Sequence, residues 1–510
     1  MIPNILSILI FLPVVLAIPV LFFKKESETL IKSYTLGVSI LTFMVSLLLF
    51  INFDASTGQF QFVEKTKWIN FINTNYFVGI DGISLLLILL STFIIPLTII
   101  ASWKTIKTKV KAFYFLMLLM LGGLIGVFCA LDLLLFYVFW EFILIPMYFM
   151  IGIWGSENRI YATVKFFIYT VSGSVLLLVG IIWLGFLALP ILGTFSTDLI
   201  ELKSVSYNLP VDSQIYLFIL FTLSFMIKVP LFPLHTWLPD AHVQAPTAGS
   251  VILASLLLKM GTYALIRFSL TLFPAGFVEL TPYFAALSVI GIIYGALLSI
   301  VQKDMKKLVA YSSVSHMGFI VLGTFALTAE AIQGSVIQMI NHGLSTGALF
   351  LIVGILYERR HTKEIAKYGG VMKVMPVFSV IFLIVVMSSI GLPGLNGFIG
   401  EFLVLIGSFY SPNLGSHWYA IISTTVVIFA AVYLLWLYQR IMLGPLDKEE
   451  NKNIKDINKT ELVTLIPLVI FIVWIGVQPN TFLKVTEKSV EQIIVNIKTV
   501  TPKFNHLIGD

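Results

Sequence analysis

Six ionisable side chains lie inside stretches that are otherwise apolar: Glu141, Lys228, Lys259, His316, His342 and Glu401. A charge at the centre of a bilayer costs roughly 3 kcal/mol or more, so a membrane helix rarely carries one without a function. Carboxylic acids, amines and imidazoles can release and rebind a proton when their surroundings adjust their proton affinity. These residue types indicate proton transfer through the interior of a membrane protein.

Lys259 lies near the middle of its apolar stretch, 13 residues after Pro246. Ser255, Lys259 and Thr262 follow the helical spacing i, i+4 and i+7, so they share one face. A lysine at this depth cannot easily extend its ammonium group to either membrane surface. We therefore expect Lys259 to gain and lose a proton.

Two histidines lie at similar depth in consecutive helices, His316 and His342, each with hydroxyl-bearing neighbours. A single buried histidine is more often a hydrogen-bonded core residue than a proton carrier. Because two histidines lie at the same depth, both a core role and a proton-carrier role stay open for each of them. His235 and His242 follow the seventh apolar stretch, where a structural or access role is favoured.

Two apolar stretches contain helix breakers next to an ionisable residue. Lys228 is followed by Pro230 and Pro233, which cannot donate backbone hydrogen bonds and end a helix there. Glu401 follows the segment GLPGLNGFIG, in which glycines and Pro393 interrupt the helix. Opened backbone at membrane depth is tolerated only against protein or a water-filled cavity. Snorkelling is the alternative for Lys228, and it fits less well beside such a break.

The breaks fall in the seventh and twelfth predicted spans, which enter the membrane from opposite sides. Paired interrupted helices of opposite orientation are typical of the inverted repeats of transporters. We therefore predict two inverted five-helix repeats, helices 4–8 and 9–13. The predicted parts of the chain are 1–110 (helices 1–3), 111–271 (first repeat), 272–441 (second repeat) and 442–510 (helix 14 and a C-terminal tail).

Glu141 and Asp81 are two further acids in apolar surroundings. Glu141 has no neutralising partner nearby in sequence, so its partner must come from another helix. A protonated carboxyl group that only fills space is its alternative role. Asp81 is expected near the outer interface, where a carboxylate costs little, and is expected to be structural.

The composition is that of a membrane protein. Of 510 residues, 58% are hydrophobic and 11% are charged, with a mean hydropathy of +0.98, whereas soluble domains are about 25% charged. Continuous apolar runs of about 18 or more residues predict an all-α polytopic fold with about 14 transmembrane helices. A single cysteine, Cys129, excludes disulfides and cysteine-ligated iron–sulfur clusters within the chain.

Basic residues are distributed unequally between the two sides. Of 32 lysines and arginines, 22 lie in or beside connections that follow odd-numbered spans, and 8 lie on the other side. Because basic loops face the cytoplasm, both termini are expected on the non-cytoplasmic side. These loops account for the net charge of +6 without a nucleic-acid partner.

Four segments are distinctive: DLLLFYVFWEFILIPMYFMIGIWG, FMIKVPLFPLHTWLPDAHVQAPTAGSVILASLLLKMGTYALIR, LVAYSSVSHMGFIVLG and GLPGLNGFIGEF. All four are similar to signatures of the antiporter-like membrane subunits of respiratory complex I, NADH-quinone oxidoreductase. The resemblance covers almost the whole chain. Within that superfamily the chain resembles the subunit M family (subunit 4 in mitochondria), because Glu401 stands where subunits L and N usually have lysine. It also ends soon after the fourteenth span.

The resemblance implies a translocase subunit that performs no redox chemistry itself. In that family, the ion pair of a first half-channel corresponds to Glu141 and Lys228. The central axis corresponds to Lys259 and His342, and the exit to the outside corresponds to Glu401. A neighbouring subunit is expected to change the charge near Glu141, which alters its hold on Lys228 and drives a proton along this row.

The resemblance also implies the surroundings of the chain. It is expected to bind no cofactor or metal; NADH, FMN, Fe–S clusters and quinone would lie in other subunits of a hetero-oligomer. Expected partners are L- and N-like membrane subunits and lipid. The expected location is the bacterial inner membrane, or the mitochondrial inner membrane if the chain is organellar.

Other functions stay open at this point. They are a free-standing cation/proton antiporter, a subunit of a multisubunit Na⁺/H⁺ antiporter or of a membrane-bound hydrogenase, a haem-bearing redox subunit, and a silent scaffold. The haem would use His316 and His342 as axial ligands. His316 also matches a family histidine whose role is less certain than that of the others.

Overall fold

The computed structural model describes residues 3–500. Its N-terminal part contains a hairpin that the sequence did not predict. The elements are α1 (Ile5–Ala17), α2 (Glu28–Asn52), β1 (Gln61–Ile69), β2 (Thr74–Ile80) and α3 (Gly82–Ser102). The two strands pair antiparallel. Glu64 on β1 accepts a hydrogen bond from the Leu6 backbone N–H at 2.8 Å, so the hairpin satisfies a free donor at the start of α1.

The next part of the chain contains nine helices. They are α4 (Val110–Cys129), α5 (Leu133–Phe142), α6 (Leu144–Trp154), α7 (Arg159–Leu192), α8 (Leu199–Ser206), α9 (Val211–Lys228), α10 (Trp237–Gln244), α11 (Thr247–Ile252) and α12 (Leu258–Ala264). A turn at Ile143 separates α5 from α6 within one span. Two π-helical segments, 253–257 and 265–270, flank α12 and continue its span.

The remaining described chain, up to residue 500, contains ten α-helices. They are α13 (Pro274–Ile300), α14 (Met305–Ala326), α15 (Ala329–Arg360), α16 (Pro376–Ile390), α17 (Asn396–Phe409), α18 (Trp418–Thr424), α19 (Val426–Met442), α20 (Glu449–Lys452), α21 (Lys459–Val477) and α22 (Asn480–Val500). The expected C-terminal tail therefore includes a long helix, α22. Its apolar side packs against α3 and α15, and Gly82 N donates to Ser489 Oγ at 3.0 Å.

Thirteen helical segments within residues 3–500 are long and apolar enough to cross a membrane. The short apolar helices α16 and α17 lie on the two sides of a break and together supply a fourteenth span. The prediction of an all-α polytopic membrane protein with broken helices is confirmed. The division into two repeats and four parts stays a prediction.

Burial separates central helices from outer ones. The span Thr247–Leu270 and the helix α15 are buried along their whole apolar length, whereas α7 and α21 expose most of theirs. Exposed side chains of α7 include Ile168 and Phe186, at 57% and 58%. Large exposed apolar side chains are stable against lipid, and polar ones are retained inside the bundle. Lys259 and His342 are carried by the two central helices.

The connections meet on two opposite faces, as the span count requires. On one face, Lys363 Nζ donates to the Val243 carbonyl at 2.8 Å. On the other face, Lys65 and Asp198 form an ion pair at 2.7 Å. Each contact joins connections that the predicted topology assigned to one side. A missed or extra span would have separated them.

Candidate functional site

Lys259 and His342 meet at the centre of the molecule. Lys259 Nζ and His342 Nδ1 are 2.6 Å apart, and the two side chains are 0% and 3% exposed. An amine and an imidazole at hydrogen-bond distance can exchange a proton directly. This contact is the centre of the candidate site.

The span that carries Lys259 departs from α-helical geometry on both sides of that residue. The π-helical segments 253–257 and 265–270 shift the hydrogen-bond pattern by one residue. Lys259 Nζ donates to the Ala254 carbonyl, so the amine contacts backbone oxygen as well as His342. Such insertions are frequent at functional sites, and no sequence pattern predicted this one.

A second contact extends the cluster to Glu401. His316 Nδ1 and Glu401 Oε1 are 2.9 Å apart, and both side chains are buried. Gln338 Nε2 donates to the same carboxylate oxygen at 3.3 Å. The ring centroids of His316 and His342 are 5.7 Å apart. The structure therefore joins Lys259, His342, His316 and Glu401 in one cluster, which we call the central row.

A small cavity borders the central row. Its volume is about 10 Å³, and its lining includes His316, His342, Glu401 and Ser345. This is roughly the space that one water molecule requires. Because the walls are polar, the cavity can accept a water molecule that connects the two halves of the row.

The break between α16 and α17 is held by hydrogen bonds to α15. Asn341 Nδ2 donates to the Asn396 carbonyl at 2.7 Å. Ser345 Oγ lies 2.7 Å from Ser388 Oγ, and both hydroxyl groups contact Asn396 Oδ1. Polar groups that the predicted helix break leaves free thus form hydrogen bonds with α15. Such groups must be hydrogen-bonded because no water is available inside the membrane.

Gly391 in this break is expected to tolerate no side chain. Its φ is +87°, and an added Cβ would lie 3.1 Å from Glu401 Oε2. An L-residue in the left-handed region costs roughly 1–2 kcal/mol. Gly391→Ala is therefore expected to lower the free energy of unfolding by about that amount, measured as thermal unfolding in detergent.

Gly37→Ala is the matched control for this variant. Gly37 lies within α2, and nothing is within 4 Å of an added Cβ there. Its unfolding temperature should equal or slightly exceed that of the wild type, because alanine is the better helix former. Strain at Gly391 would be disproved if the two variants unfolded at the same temperature.

Glu141 and Lys228 come near one another without closing an ion pair. Lys228 is 3% exposed, and its Nζ lies 4.5 Å from the centre of the Trp140 ring. Glu141 is close enough for its charge to act on Lys228, yet the ion pairs within residues 3–500 do not include these two residues. Glu141 Oε1 is buried and has no hydrogen-bond partner in that range. The structure thus has Lys228 on an aromatic face, which attracts cations.

The predicted break after Lys228 is present. α9 ends at Lys228, Pro230 stands in a turn, and α10 begins at Trp237. Trp237 Nε1 donates to the Ile227 carbonyl at 2.9 Å, which satisfies an acceptor that the broken helix leaves free. Pro233 lies in the loop between the helices.

His235 and His242 lie on this broken segment, outside the central row. The His242 ring stacks on Phe350 with 4.4 Å between centroids. Within residues 3–500, neither of its ring nitrogens has a hydrogen-bond partner. His235 stacks on Phe232. Their predicted structural or access role stays a prediction.

Several residues that hold the site were not singled out from the sequence. They are Trp140, Trp237, Asn341 and Asn396. Trp140 directly precedes Glu141, and Asn396 belongs to the glycine-rich break. Both are therefore adjacent in sequence to features that the sequence analysis names. Their roles depend on contacts between helices, which adjacency in sequence does not reveal. No group of three or more His, Cys, Asp or Glu residues suited to a metal ion occurs within the described chain.

Two family models match this chain. Residues 130–432 match "NADH:quinone oxidoreductase/Mrp antiporter, TM", and residues 7–127 match "NADH-ubiquinone oxidoreductase chain 4, amino terminus". Among curated relatives, NADH-quinone oxidoreductase subunit M of Rhodobacter capsulatus is 44% identical over 97% of each chain. NADH-ubiquinone oxidoreductase chain 4 of Arabidopsis thaliana is 44% identical, covering 96% of this chain and 97% of its own.

Solved structures share the fold. A chain of respiratory complex I from Thermus thermophilus superposes with a TM-score of 0.86 at 30% identity, covering 96% of this chain and 99% of its own. A chain of the Mrp complex from Dietzia superposes with a TM-score of 0.81 at 20% identity, covering 98% of this chain and 56% of its own. The second likeness concerns the fold alone.

Proposed function

Because this chain belongs to the NADH-quinone oxidoreductase subunit M (chain 4) family, we propose that it carries protons across the membrane through the central row. The observation that supports this most directly is the buried contact between Lys259 and His342, 2.6 Å apart. The family and the fold make the chain a proton-translocating membrane subunit of a larger enzyme. The residues that form its path are the proposal.

The proposed path runs from Lys259 to Glu401. Lys259 transfers a proton to Nδ1 of His342, whose Nε2 then releases one. A water molecule passes this proton to His316, and His316 Nδ1 transfers one to the Glu401 carboxylate. Each transfer moves one proton and returns its donor to the neutral or deprotonated form, so the histidines act as two-sided relays. Exit from Glu401 leads toward the non-cytoplasmic side.

Glu141 and Lys228 are proposed to drive this path. A change of charge in a neighbouring subunit would move Lys228 between Glu141 and the Trp140 face. An ion pair raises the proton affinity of a lysine, and its loss lowers that affinity. Lys228 thereby changes the charge near Lys259.

The energy must come from outside this chain. Moving one proton against 100 mV costs about 2.3 kcal/mol. We propose that quinone reduction by NADH supplies it in partner subunits that hold FMN, Fe–S clusters and quinone. L- and N-like membrane subunits are the proposed neighbours, with the basic connections facing the cytoplasm of a bacterial inner membrane or the matrix of a mitochondrion.

Glu141→Gln and Lys228→Met test the proposal in the assembled complex. Each variant removes one of the two charges of the proposed switch, so proton flux through this chain should fall about 10-fold or more, since each ~1.4 kcal/mol of lost electrostatic coupling corresponds to a factor of ten. The ratio of protons moved to NADH oxidised in proteoliposomes measures the loss. Glu279→Gln and Lys104→Met are matched controls because both residues are exposed. A wild-type ratio in both test variants would reject the proposal.

A further inference from the structure

A cationic cavity lies on the face opposite to the basic connections. Its volume is about 230 Å³, and it is lined by α8, α22, the loop before β1 and the end of the α12 span. The charged residues in its lining are Lys203, Arg267 and Asp81. Its formal charge is therefore positive. Arg267 is the last residue of the second distinctive segment, and no residue of the central row lines the cavity.

Arg267 forms an ion pair with Asp81, which is the one carboxylate in the lining of this cavity. Its Nη2 lies 2.5 Å from Asp81 Oδ1, and its Nε donates to Tyr263 Oη at 3.2 Å. Both charged side chains are almost fully buried. Within residues 3–500, no hydrogen bond engages Nη1, so one edge of a planar, always charged guanidinium is free to bind another acceptor.

Lys203 is the second cation and lacks a carboxylate. Its Nζ lies 5.8 Å from the Tyr207 ring, and the ion pairs within residues 3–500 do not include it. Burial and the positive charge of Arg267 lower the pKa of Lys203. Two cations that repel one another across a cavity favour an anion between them.

The position of the cavity along the membrane normal indicates which kind of anion it binds. Asp81 caps the start of α3 through Ser84 N, and Arg267 lies three residues before the end of the span Thr247–Leu270. Spans end where the hydrocarbon gives way to lipid headgroups. Polar side chains of α22, among them Ser489 and Gln492, also line the cavity. We propose that this cavity binds the phosphate group of an anionic phospholipid, with Lys203 and Nη1 of Arg267 as its cationic donors.

The test uses the assembled, delipidated complex and dioleoylphosphatidylglycerol, with bound lipid counted by native mass spectrometry. Lys203→Gln should weaken binding about fivefold, the usual share of one basic residue near a headgroup. Lys203→Arg should restore it. Lys484→Gln is the control, since Lys484 is an exposed lysine of α22 outside the cavity. Arg267 is left unchanged because its loss would leave the buried carboxylate of Asp81 without a positive partner.

Inorganic phosphate distinguishes the two sources of a phosphate group. Displacement of the lipid by excess inorganic phosphate, weakened in Lys203→Gln, supports the proposal. Binding of inorganic phosphate that depends on Lys203, with lipid binding independent of it, would assign the cavity to free phosphate and overturn the lipid assignment. Equal lipid binding by wild type, Lys203→Gln and Lys484→Gln would also overturn it.

Discussion

Lys259→Met is expected to abolish proton transfer through this chain, with a fall of about 100-fold or more in proton flux. Lys259 is fully buried and contacts His342 Nδ1, and methionine fills the same space without a titratable group. Removing the amine leaves His342 without that partner, at a cost of about 1–3 kcal/mol. It also removes a buried cation, so the complex should still assemble. Proton-to-NADH ratios in proteoliposomes measure the result.

Lys259→Arg separates a proton carrier from a structural cation. Arginine keeps a positive charge but does not deprotonate in proteins, so a carrier role predicts that this variant also fails. If arginine restored pumping, Lys259 would act only as a fixed charge. Met260→Leu is the packing control, because Met260 is buried next to Lys259 and this exchange preserves volume.

Glu401→Gln is expected to block the end of the central row, again with a fall of about 100-fold in proton flux. Glutamine keeps the size of the side chain and a carbonyl oxygen for the 2.9 Å contact with His316 Nδ1. It cannot bind and release a proton. Subunit content should be unchanged, because the hydrogen bonds to His316 and Gln338 can be kept. The proton-to-NADH ratio is the measurement.

Two further variants make the Glu401 result decisive. Glu401→Asp keeps a carboxylate that is one methylene shorter, so it should recover part of the lost flux. Glu330→Gln removes an exposed carboxylate at the start of α15 and should pump normally. Normal pumping by Glu401→Gln would exclude Glu401 as a proton carrier and would leave it a structural partner of His316.

The positions of the helix breaks could be predicted from local chemistry. Proline cannot donate a backbone hydrogen bond, and glycine tolerates left-handed backbone. Pro230 therefore marked the end of α9, and Gly391 marked the end of α16. Apolar length and the distribution of basic residues likewise predicted the membrane fold and its two faces. The membrane fold and the orientation of its two faces depend on whether each segment is surrounded by lipid or by water. The residue composition of a segment indicates which of the two surrounds it.

The hairpin and the α22 helix were not predicted. β1 is largely polar and exposed, so it lacks the alternating apolar pattern of a buried strand. α22 lies in the segment after helix 14, for which the sequence analysis predicts only a C-terminal tail. In the structure its apolar side lies against α3 and α15. Each element is stabilised by surfaces that lie far away in sequence.

The sequence predicted a central, buried position for Lys259 and His342 and the helix face of Lys259. The tertiary structure decided which side chains meet. His316 and Glu401 are 85 residues apart and join through the packing of α14 against α17, and Lys228 contacts Trp140 instead of pairing with Glu141. Helical periodicity predicts on which face of its own helix a side chain lies. The rotation and distance between two helices are set by how all their side chains pack together.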